Sequence, residues 1–385
     1  MKLKSLLLSA AMLIALTGCS AERKLPAEAE DRFKSVISIQ NDAMITGAQD
    51  YEVSSGLIGS WTLGEHIFES FQRVTGINYY DVWGFNNNGD IIFTFHDAEK
   101  NSSEIGAYNI QKGTYQTLTK SPEGLVAWFG ALNDRYIVSL YSNTDIDGET
   151  NGNHNEIHCL DIGTGEDFTV MSFDDTDQNT TGYFTFIGDV LYFDVYGDIQ
   201  SDILDTKVCK YIPGGEVETV SEKARLTMPY NGGIAYIKNN DGVYALTENG
   251  EELLFDAEFF GDLFGISCSN DIFTYKYDIY GDAEDPECAT GNGVGFINGG
   301  EKTNLFESAA MALYFSEITF NGKGYGVWDS DPLYAVVPAF YDCNKNSFVI
   351  VDDTPMSYRC FSNDSSVLFI SINEQTQSAF YYLVT

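Results

Sequence analysis

Basic residues are scarce in this chain: 21 Lys and Arg stand against 57 Asp and Glu, a formal net charge of −36. Such a surface repels nucleic-acid phosphates and anionic lipid headgroups, which argues against a nucleic-acid partner. Proline is rare too, at eight, while there are 36 Gly, 24 Tyr and 26 Phe. That balance speaks against a disordered chain or a helical bundle and for many short strands joined by glycine turns. Of the four histidines, His66, His96, His154 and His158, none has the His-Glu-x-x-His spacing of a zinc protease. A Gly-x-Ser-x-Gly nucleophile elbow and a Cys-x-x-Cys pair are both absent. The apolar run Leu6 to Leu16 is too short to cross a bilayer as a helix.

That run follows Lys2 and Lys4, the pattern of a secretory signal peptide. It ends in Leu16-Thr17-Gly18-Cys19, which resembles the lipobox of bacterial lipoproteins, where small residues fit the signal peptidase and the cysteine thiol accepts a diacylglycerol. The resemblance implies that residues 1–18 are removed and that Cys19 carries lipid. The mature chain would then be held at the extracytoplasmic face of a bacterial membrane. Residues 19–32 are polar and read as a tether.

From Gly76 onward one plan recurs: an aromatic strand, an Asn/Gly/Asp/Ser turn, and a β-branched strand. The turns are Asn86 to Asp90, Asn133-Asp134, Gly188-Asp189, Asn231 to Gly233, Ser269 to Asp271, Asn321 to Lys323 and Asn363-Asp364. The second strands begin near Ile91, Ile137, Val190, Ile234, Ile272, Gly324 and Val367, about 46 residues apart, a spacing typical of propeller blades. Outer hairpins follow, as in Ile105 to Leu118, IGAYNIQKGTYQTL, with its following Thr119. These hairpins are similar to those of TolB-like and dipeptidyl-peptidase-like propellers, a resemblance that implies a fold and not an activity.

The expected fold is therefore all-β: a single domain over 33–385, a seven-bladed β-propeller. Its blades are expected near 77–120, 121–177, 178–222, 223–257, 258–308, 309–355 and 356–385. The last repeat holds three strands, so an N-terminal strand should complete it and cover its edge. Leu57 to Leu63 is the first candidate and Phe33 to Ile39 the second. Ile67, Phe68, Phe71 and Val74 lie at helical spacing before Gly76, predicting one short helix before the first blade.

Cys159, Cys209, Cys268, Cys288, Cys343 and Cys360 remain after Cys19. Cys159 and Cys209 align at one site in neighbouring repeats, where facing sheets lie about 10 Å apart, beyond disulfide reach. Mostly free, buried thiols are expected.

No catalytic motif emerges. Asn298 to Thr303 lacks the glycine a phosphate loop needs at Glu301, and no sialidase Ser-x-Asp-x-Gly-x-Thr-Trp box is present. The loops between second and third strands are acidic, with Asp145, Asp147 and Glu149; Asp194, Asp198, Asp202 and Asp205; Asp278, Asp282, Glu284, Asp285 and Glu287; and Asp329 and Asp331. Asn143, Asp145, Asp147 and Glu149 carry the alternating oxygens and central Gly148 of half an EF-hand loop, making them candidate calcium ligands. His154 stands where that loop needs a bidentate Glu, and a solvated turn explains the same residues. Trp83 and Trp128, on innermost strands, either line a channel where sugars stack or pack between blades, the commoner role. The sequence thus points to a lipid-anchored binding or scaffold module for a protein or glycan ligand. The alternative is a carbohydrate-active enzyme, glycosidase or lyase, with carboxylates from different blades.

Overall fold

The computed structural model describes residues 51–53, 59–62, 80–97, 102–144, 150–174, 183–196, 206–247, 250–256, 259, 265–269, 271–280, 289–298, 300–308, 315–320, 324–329, 339–342, 347–350, 359–363, 366–373 and 378–384. Every element among them is a strand. Two lie ahead of the repeats, β1 (Tyr51–Val53) and β2 (Gly59–Thr62). The first repeat holds β3 (Tyr80–Phe85), β4 (Asp90–Asp97), β5 (Ser102–Asn109) and β6 (Thr114–Lys120). The second holds β7 (Val126–Leu132), β8 (Tyr136–Thr144), β9 (Thr150–Asp161) and β10 (Asp167–Asp174). The third holds β11 (Phe184–Ile187), β12 (Val190–Val195), β13 (Lys207–Tyr211) and β14 (Glu218–Glu222). β15 (Ala224–Tyr230), β16 (Gly233–Lys238), β17 (Gly242–Thr247) and β18 (Gly250–Asp256) make the fourth. β19 (Ile266–Ser269), β20 (Ile272–Tyr280), β21 (Ala289–Asn298) and β22 (Glu301–Ser308) make the fifth. The sixth has β23 (Phe315–Phe320), β24 (Gly324–Asp329), β25 (Ala339–Asp342) and β26 (Ser347–Ile350), and the seventh β27 (Arg359–Ser362), β28 (Val367–Asn373) and β29 (Ser378–Val384).

Each repeat is its own antiparallel sheet, with its strands paired in sequence order. Two exceptions come from the N-terminus. β2 pairs antiparallel with β29, Ser60 opposite Phe380, and gives the seventh sheet its fourth strand from within Leu57 to Leu63. β1 pairs parallel with β26, Tyr51 opposite Phe348, and adds a fifth strand to the sixth sheet. The segments Phe33 to Ile39 and Ile67 to Val74 lie outside the described residues.

Burial explains the sequence pattern. Among the described residues, second strands such as β4 are covered on both faces, with Ile91, Ile92 and Phe93 fully buried, so they read as near-continuous apolar runs. Outer strands alternate or are mostly exposed, as in β6 and β18. The apolar clusters lie between sheets. Val82, Ile91 and Phe93 of the first sheet pack with Leu368, Ile370 and Tyr381 of the seventh. On the other face Ile92 and Ile105 pack with Ile137, Tyr141 and Leu160 of the second. Second and third, third and fourth, and fourth and fifth sheets join in the same way.

Two glycines let the first strands of neighbouring sheets interlock. A Cβ added at Gly130 of β7 would lie 2.1 Å from Trp83 Cε3, and one at Gly84 of β3 would lie 2.4 Å from Leu132 Cδ2. Each glycine is the hole for the other strand's side chain. Turns are stitched as well. Asn133 Oδ1 accepts from the N–H groups of Arg135 and Tyr136, at 2.8 and 2.6 Å, holding its own turn. The same turns bond one another. Asn87 donates its backbone and side-chain N–H to the Asp134 carboxylate, at 2.8 and 3.1 Å, and Asn133 Nδ2 donates to Gly188 O at 2.8 Å. Asn231 N–H donates to Asp271, and Asn363 Nδ2 donates to Asn86 O at 3.2 Å, linking the seventh repeat to the first.

Candidate functional site

The densest group of ionisable side chains among those described lies on the outer strands of the second sheet. In an extended strand alternate residues share a face. On β9, Asn155, Ile157 and Cys159 are buried, with Ile157 and Cys159 in the core shared with the third sheet. His154, Glu156 and His158 therefore share the opposite face. Register then places Asp174 of β10 opposite His154, Ser172 opposite Glu156 and Thr169 opposite His158, with a bulge between Thr169 and Met171. Asp167 reaches His158 diagonally.

A continuous chain of contacts results. His154 Nδ1 lies 3.0 Å from Asp174 Oδ1, and its Nε2 lies 3.1 Å from Glu156 Oε1. His158 Nε2 lies 2.7 Å from Glu156 Oε2, and its Nδ1 lies 3.2 Å from both Asp167 oxygens. Tyr141 of β8 sets its ring edge-on to His158, centroids 5.1 Å apart. Hydrogen bonds to Asp174 and then Glu156 raise the His154 pKa above the ordinary imidazole value. Burial works against charge on His158, but Asp167 and Glu156 outweigh it and the net shift is upward. Burial likewise opposes the Glu156 carboxylate, and the two imidazoles still hold it below the usual carboxylate range. Among the described residues no three His, Cys, Asp or Glu side chains converge as a metal site. The alternating His154, Glu156 and His158 were the available sequence signal, but their partners on β10 depend on the hairpin register.

His96 is a separate case. It is buried on β4, its Nδ1 lies 2.8 Å from Ser103 Oγ, and that oxygen accepts the Ala127 N–H at 2.8 Å. Burial pushes its pKa down to about 4, so the ring is neutral near pH 7 and shares a hydrogen bond with the Ser103 hydroxyl through Nδ1.

The residues singled out from sequence divide clearly. Asn143 Oδ1 accepts the His154 N–H at 3.0 Å, bridging the start of the β8–β9 hairpin. Asp145, Asp147, Glu149 and Cys19 lie outside the described residues. Asp194 is not a loop carboxylate: it sits fully buried in β12, and its Oδ2 accepts the Leu226 N–H of the next sheet at 2.9 Å. Asp278 and Asp329 likewise fall on strands, β20 and β24. Trp83 packs against Gly130 and joins the core between the first and second sheets, so packing is its role. Trp83 and Trp128 both occupy bulges of first strands, and their Nε1 atoms are buried without a hydrogen-bond partner among the described residues. Cys159, Cys209 and Cys268 are free and buried. Cys288 and Cys343, and the side chain of Cys360, lie outside the described residues.

No family model and no curated protein matches the chain. Solved structures do resemble it in fold. A prolyl endopeptidase superposes with TM-score 0.52 at 10% identity, over 94% of this chain and 56% of that one. The Listeria monocytogenes protein lmo1340 gives 0.50 at 10% identity, over 82% and 97%. An oligogalacturonate lyase from Vibrio parahaemolyticus gives 0.50 at 12% identity, over 79% and 91%. The chain thus spans a little over half the length of the prolyl endopeptidase. At these identities the likeness is one of architecture, and together with the separate antiparallel sheets it makes the fold a β-propeller.

Proposed function

We propose that the seven sheets are the blades of one closed ring, with β2 completing the seventh, and that the ring is a lipid-anchored extracytoplasmic module that binds a protein or glycan. The observation that carries the ring is the pairing of β2 with β29 together with the Asn363 to Asn86 bond, which join the last repeat to the first part of the chain. The lipobox at Cys19 supports the anchor. A charge of −36 favours basic proteins, neutral glycans or cation-bridged ligands, and the loop with Asn143, Asp145, Asp147 and Glu149 is offered as a calcium site on that ground.

A carbohydrate-active enzyme is the second reading. It draws on the likeness to the oligogalacturonate lyase, 91% of whose length is matched, and on the adjacent acid and base groups His154, Glu156 and His158. Against it, a strongly acidic surface repels a polyuronate. A thermal-shift panel of calcium, a chelator, neutral and acidic polysaccharides separates the readings. Stabilisation by a neutral glycan without product release supports the binding module, and shortened polysaccharide supports the enzyme. No shift with any of them removes the calcium and glycan readings and leaves a protein partner. Labelled fatty acid entering wild type but not Cys19→Ala tests the anchor.

A further inference from the structure

We propose that Asp174, His154, Glu156, His158 and Asp167 form a proton-operated latch that holds the edge strand β10 onto the second sheet. β10 ends the strand order β10-β9-β8-β7, so one side of it has no neighbour in its own sheet. It contributes Asp167 and Asp174, the two ends of the chain of contacts, while β9 contributes the three middle members.

The geometry sets the proton count. All four ring nitrogens of the two histidines lie 2.7 to 3.2 Å from carboxylate oxygens. An ionised carboxylate only accepts hydrogen bonds, and a neutral imidazole has one N–H and one lone pair. Every contact is therefore attractive only when each His–carboxylate group holds the extra proton, giving two imidazolium ions among three carboxylates. Removing those protons turns one contact at each ring into a lone pair facing an anion. It also leaves three carboxylates in a row along an edge that must stay paired.

Among the described residues the remaining neighbours supply no opposing charge. Tyr141 and Ser139 reach the cluster from β8; burial raises the Tyr141 phenol pKa and keeps it neutral. Ser172 Oγ, from β10, lies 3.5 Å from His154 Nε2. His96, on the adjoining first sheet, is neutral because burial lowers its pKa to about 4. The charges that act on the rings are those of Glu156 and Asp174 at His154, and of Asp167 and Glu156 at His158.

The direction follows from linkage. His158, which pairs with Ser139 of β8 rather than with Asn143, has a raised folded pKa and stabilises the edge fully below the unfolded value, about 6.5, a contribution lost as pH rises through the folded value. Glu156, whose folded pKa is lowered, contributes above its unfolded value and loses this as pH falls through the folded one. The latch is closed in mild acid and released above neutrality.

Histidine Cε1 proton titrations by NMR, assigned with His154→Gln and His158→Gln, test it alongside amide exchange of β10 corrected for intrinsic rates. Both histidines should titrate above the ordinary value. Glu156→Gln should lower both, Asp174→Asn His154 alone, and Asp167→Asn His158 alone. Exchange of β10 amides should speed from pH 6 to pH 9 beyond the change in intrinsic rate, while β18 does not follow. Titration at or below the ordinary value, insensitivity to Glu156→Gln, or β10 protection independent of pH would overturn the latch. Should Glu156→Gln fail to fold, the wild-type titrations and exchange decide alone.

Discussion

Replacing Gly130 with alanine probes how adjacent blades lock together, because two effects predict opposite signs. At an unobstructed strand position the change stabilises by about 0.5–1 kcal/mol, since glycine loses more backbone freedom on folding. Here the added Cβ would lie 2.1, 2.5 and 2.6 Å from Cε3, Cζ3 and Cδ2 of Trp83. The ring has no free space to retreat into, being 9% exposed and packed with Ile92, Ile105, Ala127 and Ile137. Overpacking of this kind costs about 1–3 kcal/mol, more than the backbone gain, so a net loss is expected. Gly84→Ala should cost less, because the obstructing atom is the terminal Cδ2 of Leu132, which can rotate away. Urea unfolding followed by circular dichroism at unchanged m-value measures both, avoiding tryptophan fluorescence because Trp83 is the perturbed group. In a Trp83→Leu background Gly130→Ala should become neutral or stabilising, a coupling of about 1–3 kcal/mol. A stabilising Gly130→Ala in wild type, or equal cost in both backgrounds, would refute the interlock.

Other expectations concern single groups. Asp161, 4% exposed, accepts from Gly163 N–H, Thr164 N–H and Arg135 Nε at 2.9, 3.0 and 2.9 Å, so Asp161→Ala should cost about 1.5–3 kcal/mol in the same unfolding assay. Burial pushes that carboxyl up, but the Thr164 N–H, Arg135 and the Gly163 N–H hold it lower on balance; its contribution is present above pH ~4 and lost as pH falls through the folded value. His96 shifts stability in the same direction with pH. Its folded pKa, about 4, lies below the unfolded value, so acid costs the folded state on the order of 3 kcal/mol between pH 6.5 and pH 4. His96→Gln should lower the acid-unfolding midpoint, and an unchanged midpoint would show that the ring is not buried. Burial raises the Cys159 thiol to about 12 and Cys268 further still, so neither should react with a thiol reagent at pH 8 until the protein is denatured, as read by peptide mass.

Much of the architecture was legible because it rests on local chemistry. Asn133 and Asn363 each cap their own turn with a side-chain oxygen, which is why such residues recur at one point of the repeat. A strand-poor last repeat demanded a partner, and Gly59–Thr62 supplies it. The pairing of β1 with β26 left no comparable trace: three residues carry little pattern, and their partner lies almost the whole chain away. The second use of the turn residues, as acceptors and donors for the next turn, depends on how sheets stand beside each other. Asp194 was misplaced for a related reason. Its position at the end of an apolar run looks like a loop, whereas the Leu226 N–H of the following sheet bonds its buried carboxylate. The His154 to Asp174 chain was hidden because the bulge between Thr169 and Met171 decides which carboxylates face β9.

The ring itself is most directly tested by a disulfide across its proposed closure. Ser60 faces Phe380 and Trp61 faces Ala379 in the β2–β29 register, and neighbouring antiparallel pairs alternate between wide and narrow spacing. Cysteines at one of these two pairs should therefore oxidise to an intramolecular bridge, seen as a 2 Da mass loss and a linked peptide, and should raise resistance to unfolding by about 2–4 kcal/mol. A folded protein in which neither pair links, or in which an out-of-register Ser60 and Tyr382 pair links as readily, would contradict closure by β2.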